Sequence, residues 1–151
     1  MNYTVRPAKG ADIDVLVGFT VAEAREAEGE ELDAEEARRG VAVAFEAPQR
    51  ARYWVAESSG GRVVASTSIV EEWSNFHGGW YWWVQSLFIA PEHRGGGLVD
   101  VMLNHLAAEA SAAGALDLRL YVHEANDRAL RAYERCGFKP SPYRIMSRPV
   151  K

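Results

Sequence analysis

Segments in which apolar residues recur every three or four positions are interspersed along this chain with segments of alternating apolar and polar residues. The helical spacing predicts one helix after Asp12, a second from Asp33 to near Pro48, a third from Leu98 and a fourth after Asn126. Asp12 and Asp33 are residues that cap helices, so each is expected to bond to the first turn that follows it. The inward stripe of the first helix is predicted to be Ile13, Leu16, Val17, Thr20 and Ala24.

Alternation and β-branched composition predict the strands. They are expected at Tyr3–Pro7, Arg52–Ser58, Arg62–Glu71, Trp80–Ile89 and Ala115–Val122, with two short strands within Phe138 to Arg148. Ser59–Gly61 is predicted to be a hairpin turn and Glu71–Gly79 a polar loop. Helices and strands in this order indicate an α+β protein with a mixed sheet.

The strand Trp80–Ile89 is rich in aromatic residues. Because successive side chains alternate, Tyr81, Trp83, Gln85 and Leu87 are expected to share one face. One interpretation of the aromatic residues is core packing, and the other is an aromatic wall that holds a cationic substrate. Exposed tryptophans could also form the face of a homodimer.

Composition bounds the class of protein. The 151 residues suit one domain, residues 1–151, and the net charge of -4 argues against a nucleic-acid partner. A lone cysteine, Cys136, fits a reducing compartment and is expected to be structural. No apolar run has the length of a signal core or a membrane span, so a cytoplasmic location without membrane contact is expected.

Acidic residues are concentrated between Glu23 and Glu36. Such a charge run is commonly a solvated helix face and loop. The functional alternative is a collar of negative charge that attracts a cationic amine.

A glycine-rich turn joins the aromatic strand to the third helix. Pro91 stops the strand, and Arg94 is followed by three glycines, Gly95 to Gly97, before Leu98 begins the helix. The first amides of a helix lack partners within it and favour an anion, so a phosphate or diphosphate is the expected guest. A flexible surface turn is the alternative. The sequence does not have the Gly-Lys-Ser/Thr triplet that a Walker loop requires. It also does not match a dinucleotide fingerprint, because Asp100 stands where the third glycine is required.

Two motifs resemble those of the GNAT superfamily of N-acetyltransferases. The run Arg94-Gly95-Gly96-Gly97-Leu98-Val99 resembles the family's acetyl-CoA motif. The later stretch matches the family's strand, asparagine and helix ending in Tyr-Glu-x-x-Gly-Phe, at Asn126, Tyr133, Glu134, Gly137 and Phe138. The resemblance implies a mainly antiparallel, splayed sheet flanked by about four helices.

The resemblance also implies a set of site residues. The backbone of Leu87, Phe88 and Ile89 would pair with the pantetheine arm, and Asn126 would bond to that arm. Tyr133 would donate a proton or a hydrogen bond to the leaving thiolate. The diphosphate of acetyl-CoA would be held by Arg94, Gly95, Gly96, Gly97, Leu98, Val99 and Asp100.

The general base is less clearly indicated. Many relatives place a glutamate on the central strand, whereas Trp83 and Gln85 stand on that face here. Glu72, in the predicted loop, is the first candidate, and His77, His123 or a water chain are the others.

The chain is therefore interpreted as an N-acetyltransferase that moves acetyl from acetyl-CoA directly to a primary amine, without a metal. Its charge favours a small cationic amine such as a polyamine, an amino compound or an aminoglycoside-like drug, while a protein N-terminus or lysine stays open. The alternative is a non-catalytic acyl-CoA-binding sensor on the same fold. A dinucleotide-dependent enzyme is the weaker rival.

Overall fold

A computed structural model describes residues 2–151 of the chain. Its strands are β1 Tyr3–Pro7, β2 Arg52–Ser58, β3 Val63–Ser74, β4 Gly79–Ile89 and β5 Asp117–Leu120. Its helices are α1 Ile13–Glu28, α2 Ala34–Glu46, α3 Leu98–Ala112 and α4 Asp127–Arg135, and short 3-10 turns lie at Gly10–Asp12 and Pro91–His93. None of the described helices is long and apolar enough to cross a membrane.

The chain forms two compact units. The first ends at Tyr121 and contains all five strands with α1, α2 and α3, and the second is Val122–Lys151 with α4. The predicted number of helices is confirmed.

The five strands lie in one sheet in the order β1-β2-β3-β4-β5. The first four pair antiparallel, and β5 lies parallel to β4 after the crossover through α3. The predicted α+β class with a mixed, mainly antiparallel sheet is confirmed. In the described chain β5 pairs with Tyr81 to Val84 of β4 and no further. The sheet therefore opens beside the second half of β4, and Gln85 to Ile89 have a free edge.

Helices cover both faces of the sheet in the first unit. Val55 packs with α1 and α2 in the cluster Leu16, Val17, Ala37 and Val41. Its neighbour Ala56 packs with α3 in the cluster Val64, Ala65, Ile89, Leu98 and Met102. Because adjacent strand residues point to opposite faces, α1 and α2 lie on one face and α3 on the other.

A β-bulge in β4 alters the predicted alternation. Ile69 pairs with Val84, but Ser68 pairs with Ser86, so Gln85 is the extra residue. An extra residue reverses the side-chain alternation beyond it. The expectation that Leu87 shares a face with Trp83 is therefore wrong, and Ser86 and Phe88 continue that face instead.

Strand β3 is longer than its composition predicts. It continues through Glu72 to Ser74, and the turn that follows joins it to β4. The placement of Glu72 in a loop is wrong, because Glu72 pairs with Tyr81 and Trp73 pairs with Trp80. The cross-strand aromatic pair of Trp73 and Trp80 stabilises the strand pairing here, although the neighbouring residues are polar.

The C-terminal strands predicted within Phe138 to Arg148 are also wrong. No described residue after Leu120 lies in a strand. Pro140 and Pro142 lack the amide hydrogens that a ladder needs, and every residue from Lys139 onward is exposed. The strand predicted at Ala115–Val122 is shortened to Asp117–Leu120.

One of the two predicted helix caps is formed. The Asp33 carboxylate accepts a hydrogen bond from the Glu36 amide at 3.3 Å, as predicted. The cap predicted for Asp12 is wrong, because its carboxylate pairs with Arg6 at 2.8 Å and accepts from the Lys9 amide at 2.7 Å. These contacts, led by the Arg6 hydrogen bond, lower the pKa of Asp12 although burial opposes them.

Candidate functional site

The glycine turn lies where α3 begins. Gly95 and Gly97 have φ angles of 81° and 85°, values that favour glycine, and Gly97 caps the helix. The Val101 amide donates to the Gly97 carbonyl at 3.2 Å and starts the helical ladder. The amides before it therefore point out of the helix start, where the helix dipole favours an anion.

The space around this turn is open. A β-carbon built on Gly95, Gly96 or Gly97 would meet no atom within 4 Å, and all three glycines are exposed. Packing against the rest of the protein therefore does not explain why glycine occupies these positions. The required φ angles, together with open space at a helix start, fit the close approach of a ligand phosphate.

Next to this turn, the free edge of β4 carries backbone groups that no described strand pairs with. The Ser86 carbonyl accepts from the Thr67 hydroxyl at 2.8 Å and so points towards β3. The amide of the same trans peptide, that of Leu87, must point the other way. By the same argument the Ile89 carbonyl faces the free edge, since the Ala90 amide donates to Val64 of β3 at 2.8 Å.

Two side chains of the protein bind these edge groups. The Leu87 amide donates to the Glu23 carboxylate of α1 at 2.9 Å. The Arg94 guanidinium donates to the Ile89 carbonyl at 2.9 Å, pairs with Glu26 at 2.8 Å and lies over the Phe88 ring at 5.3 Å. Carboxylates of α1 thus lie at the free edge, in contact with residues that the sequence assigned to acetyl-CoA.

Glu23 is the residue of this region that the sequence analysis missed. Its pKa is raised from 4.5 to about 7, because burial and the charges of Glu28 and Glu26 raise it by more than the Leu87 amide lowers it. Within the sequence it appeared only as the first residue of an acidic stretch. Its position seven residues after Leu16 and three after Thr20 places it on the inward stripe of α1, and that spacing could have identified it.

The aromatic residues of β4 divide between core and surface. Trp82 is buried and lies 6.0 Å from Trp54, with Arg52 over its ring at 4.5 Å. On the other face Trp83 packs against Tyr121 in a tilted arrangement, with the ring centres 4.7 Å apart. Core packing is therefore confirmed for Trp82, and the aromatic wall for a substrate stays a prediction for the other face.

The half-exposed aromatic face already holds a cation. The Arg119 guanidinium lies 3.5 Å from the centre of the Tyr81 ring and 5.8 Å from that of Trp83. Glu72 accepts a hydrogen bond from the Trp83 indole at 3.1 Å on the same face. The cation over these rings is therefore the chain's own Arg119, and a substrate cation in its place stays a prediction.

The predicted site residues of the first unit fall into two groups. Glu72 pairs with Tyr81, which precedes Leu87 by six residues along β4. At about 3.3 Å per residue, the two positions are roughly 20 Å apart along the strand. The structure thus gathers Leu87, Ile89 and Arg94 at the free edge and leaves Glu72 near the other end.

The second unit carries the other predicted residues. Asn126 caps α4 and accepts from the Ala129 amide at 3.2 Å. The half-buried Tyr133 packs edge to face on Phe138, 6.0 Å away. Gly137, with a φ of 90°, ends the helix as predicted. Among residues 2–151 no group of three or more histidines, cysteines or carboxylates is arranged to hold a metal.

A strand edge that opens beside a glycine-headed helix suits a ligand with an extended arm and a diphosphate, such as an acyl-CoA, and the family comparison agrees. The model of the acetyltransferase (GNAT) family matches residues 16–138. The chain belongs to this family, whose members use acetyl-CoA, and it is an acyltransferase. Comparison with curated proteins found no significant match.

Solved structures share the fold over the whole chain. A possible acetyltransferase from Clostridium difficile 630 is 26% identical, with a TM-score of 0.92 over 100% of this chain and 99% of that one. A predicted acetyltransferase with acetyl-CoA from Clostridium acetobutylicum is 19% identical, with a TM-score of 0.79 over 97% and 96%. The ribosomal-protein-alanine N-acetyltransferase of Brucella melitensis biovar Abortus 2308 is 14% identical, with a TM-score of 0.78 over 99% and 100%.

Proposed function

We propose that this acyltransferase moves the acetyl group of acetyl-CoA directly to a primary amine of a small cationic acceptor. The observation that carries the proposal is the free edge of β4 beside the glycine turn that heads α3. The edge offers strand hydrogen bonds to an extended arm, and the turn offers amides to a diphosphate.

The residues present fit this cosubstrate. Leu87, Phe88 and Ile89 would bind the pantetheine arm through their backbone groups, with Asn126 as a further donor. The diphosphate would lie on the start of α3, against Arg94, Gly95, Gly96, Gly97, Leu98, Val99 and Asp100. Bound there, acetyl-CoA supplies an activated acyl group, and a strand amide such as that of Leu87 can polarise the acyl oxygen.

Acidic residues of the first unit support a cationic acceptor. Glu26 binds Arg94, Glu28 and Glu30 are exposed, and Glu31 pairs with Arg25 at 2.9 Å. Glu23 and Glu26 contact the Leu87 amide and Arg94 at the free edge of β4, which supports the interpretation of the acidic stretch as a collar. A cleft lined by one sign of charge raises the local concentration of ligands with the opposite sign.

The transfer needs two proton movements. As the bond between the amine nitrogen and the acyl carbon forms, the nitrogen loses a proton, and as the carbon–sulfur bond breaks, the sulfur gains one. We assign the second movement to the Tyr133 phenol. For the first, the sequence predicted Glu72, but that residue pairs with Tyr81, roughly 20 Å along β4 from Leu87, which argues for a different base.

Tyr133→Phe is expected to lower kcat by about 100-fold, because the departing sulfur loses its proton donor, while acetyl-CoA affinity stays within threefold. Steady-state release of CoA and titration calorimetry measure the two quantities. Tyr143→Phe is the matched control, since Tyr143 is a tyrosine of the same unit that is 79% exposed. Equal kcat values in wild type and Tyr133→Phe would remove the assignment.

The function itself is tested with a panel of a diamine, a polyamine, an aminoglycoside, an amino sugar and a lysine peptide. The expected result is CoA release with at least one small polyamine or aminoglycoside and none with the peptide. A protein that binds acetyl-CoA and releases no CoA with any amine is the sensor, and this result contradicts the proposal.

Arg94→Ala is expected to weaken acetyl-CoA binding by about tenfold, since a charged hydrogen-bond donor beside a phosphate contributes about 1.5 kcal/mol. Titration calorimetry at low salt measures the change. Arg62→Ala is the control, because the Arg62 side chain is 77% exposed and lies 3.8 Å from Glu92. If both variants bind alike, Arg94 serves the β4 edge and not the cosubstrate.

A further inference from the structure

The contacts at the free edge of β4 single out one carboxylate. The geometry points to Glu23 as the catalytic base that takes the proton from the attacking amine. This inference rests on the proposed function, since it assumes that the acyl group is held at the Leu87 amide.

The position of Glu23 follows from α1 and the bulge in β4. The Glu23 carboxylate lies 2.9 Å from the Leu87 amide, which follows the bulged residue Gln85 and faces away from β3. Bulges recur beside active sites because they redirect the groups of a strand. The Leu87 amide would polarise the acyl oxygen, so a carboxylate in contact with this amide is close to the acyl carbon. An amine nitrogen that attacks this carbon would then lie within one hydrogen bond, or one bridging water, of the carboxylate.

The surroundings suit a base that works near neutral pH. The pKa of Tyr53 of β2 is raised by burial and by the charge of Glu23, and lowered by a hydrogen bond with Ser68. The Ser68 hydroxyl lies 2.7 Å from that of Ser86. Burial, opposed by the Leu87 amide and assisted by Glu28 and Glu26 of its own helix, raises the pKa of Glu23 to about 7. A carboxylate with such a pKa holds a proton more firmly than an ordinary one and so accepts it more readily from an ammonium or an amine.

The step balances without a further reactant. The amine nitrogen bonds to the acyl carbon and its proton passes to the Glu23 carboxylate. The carbon–sulfur bond breaks, and the sulfur takes a proton from Tyr133. Solvent then removes the proton from Glu23 and restores that of Tyr133.

Cosubstrate binding should strengthen this base. In the free protein, the hydrogen bond from the Leu87 amide lowers the pKa of Glu23. An acyl oxygen that accepts from the Leu87 amide would displace Glu23 and remove this hydrogen bond. Its loss raises the pKa further. The acid-side rise of kcat in the loaded enzyme is therefore expected at or above pH 7.

The deciding experiment compares Glu23→Gln with Glu72→Gln, the alternative predicted from the sequence, and with Glu35→Gln at an exposed position of α2 as the control. Glutamine keeps an oxygen that can accept from the Leu87 amide and cannot take the proton. We expect Glu23→Gln to lower kcat/KM for the reactive amine of the panel by about 100- to 10,000-fold. It should also remove the rise of rate with pH, with acetyl-CoA affinity within about threefold of wild type. Glu72→Gln and Glu35→Gln should keep the rise.

A second readout does not depend on turnover. Carbon-13 NMR of glutamate carboxyls in the free protein is expected to show one group that titrates near pH 7 and is absent from Glu23→Asp and Glu23→Gln spectra. A Glu23→Gln enzyme with the wild-type profile, a lost rise in Glu72→Gln, or an ordinary titration of Glu23 would each overturn the assignment and leave the acetyltransferase intact. Absence of CoA release from the wild type instead overturns the proposed function.

Discussion

Replacing Gly97 by valine is expected to weaken acetyl-CoA binding by about five- to 150-fold, the equivalent of 1–3 kcal/mol of backbone strain. Gly97 has a φ of 85°, which a β-branched residue adopts only with strain. Relief of the strain turns the first amides of α3 away from the direction in which a diphosphate would meet them. Titration calorimetry with acetyl-CoA measures the loss.

Gly61→Val is the matched control for this variant. Gly61 has a φ of 80° in the turn before β3, and a β-carbon there also meets no atom within 4 Å. The control should lose stability to a similar degree and keep its acetyl-CoA affinity. Equal affinities in the Gly97→Val and Gly61→Val proteins would show that the glycine turn does not bind the cosubstrate.

The free energy of unfolding is expected to fall more in wild type than in Glu23→Gln as the pH rises from about 5 to about 8. The difference between the two falls should be on the order of 3 kcal/mol. The pKa of Glu23 is raised from 4.5 to about 7, mainly by burial, and each unit corresponds to about 1.36 kcal/mol. In that window the folded protein holds the proton more tightly than the unfolded chain. Stability is therefore lost as pH rises through the folded pKa and levels off above it.

Urea unfolding at several pH values measures this difference. The comparison between wild type and variant isolates Glu23, because both proteins share every other titratable group. The lowered pKa of Asp12 acts in the opposite direction at lower pH, where stability is lost as the pH falls. Glu35→Gln should follow wild type. Parallel curves for wild type and Glu23→Gln would show that Glu23 is not held in a buried, neutral-favouring site.

Local patterns of the sequence were sufficient for most of the fold. The strand Arg52–Ser58 and the helix that begins after Asp33 follow from alternation and capping, and the structure forms both. The helix from Leu98 likewise follows from its apolar spacing and the glycines before it. Each of these depends on contacts within one segment, which a sequence displays directly.

The differences arise where tertiary pairing decides the structure. The bulge at Gln85 depends on the register between β3 and β4, and no residue type marks it. Glu72 reads as part of a loop, and its pairing opposite Tyr81 makes it part of a strand. The role of Glu23 at the free edge depends on a contact between residues 64 positions apart. Such long-range placement cannot be read from the composition of a segment.

The most direct test of the central claim is a nitrogen-15 NMR titration of the protein with acetyl-CoA. We expect the Leu87, Gly95 and Gly97 amides to shift with one shared dissociation constant, and the Gly61 amide to stay unchanged. Saturable binding with shifts confined to other parts of the sheet, or no shifts at all, would contradict it.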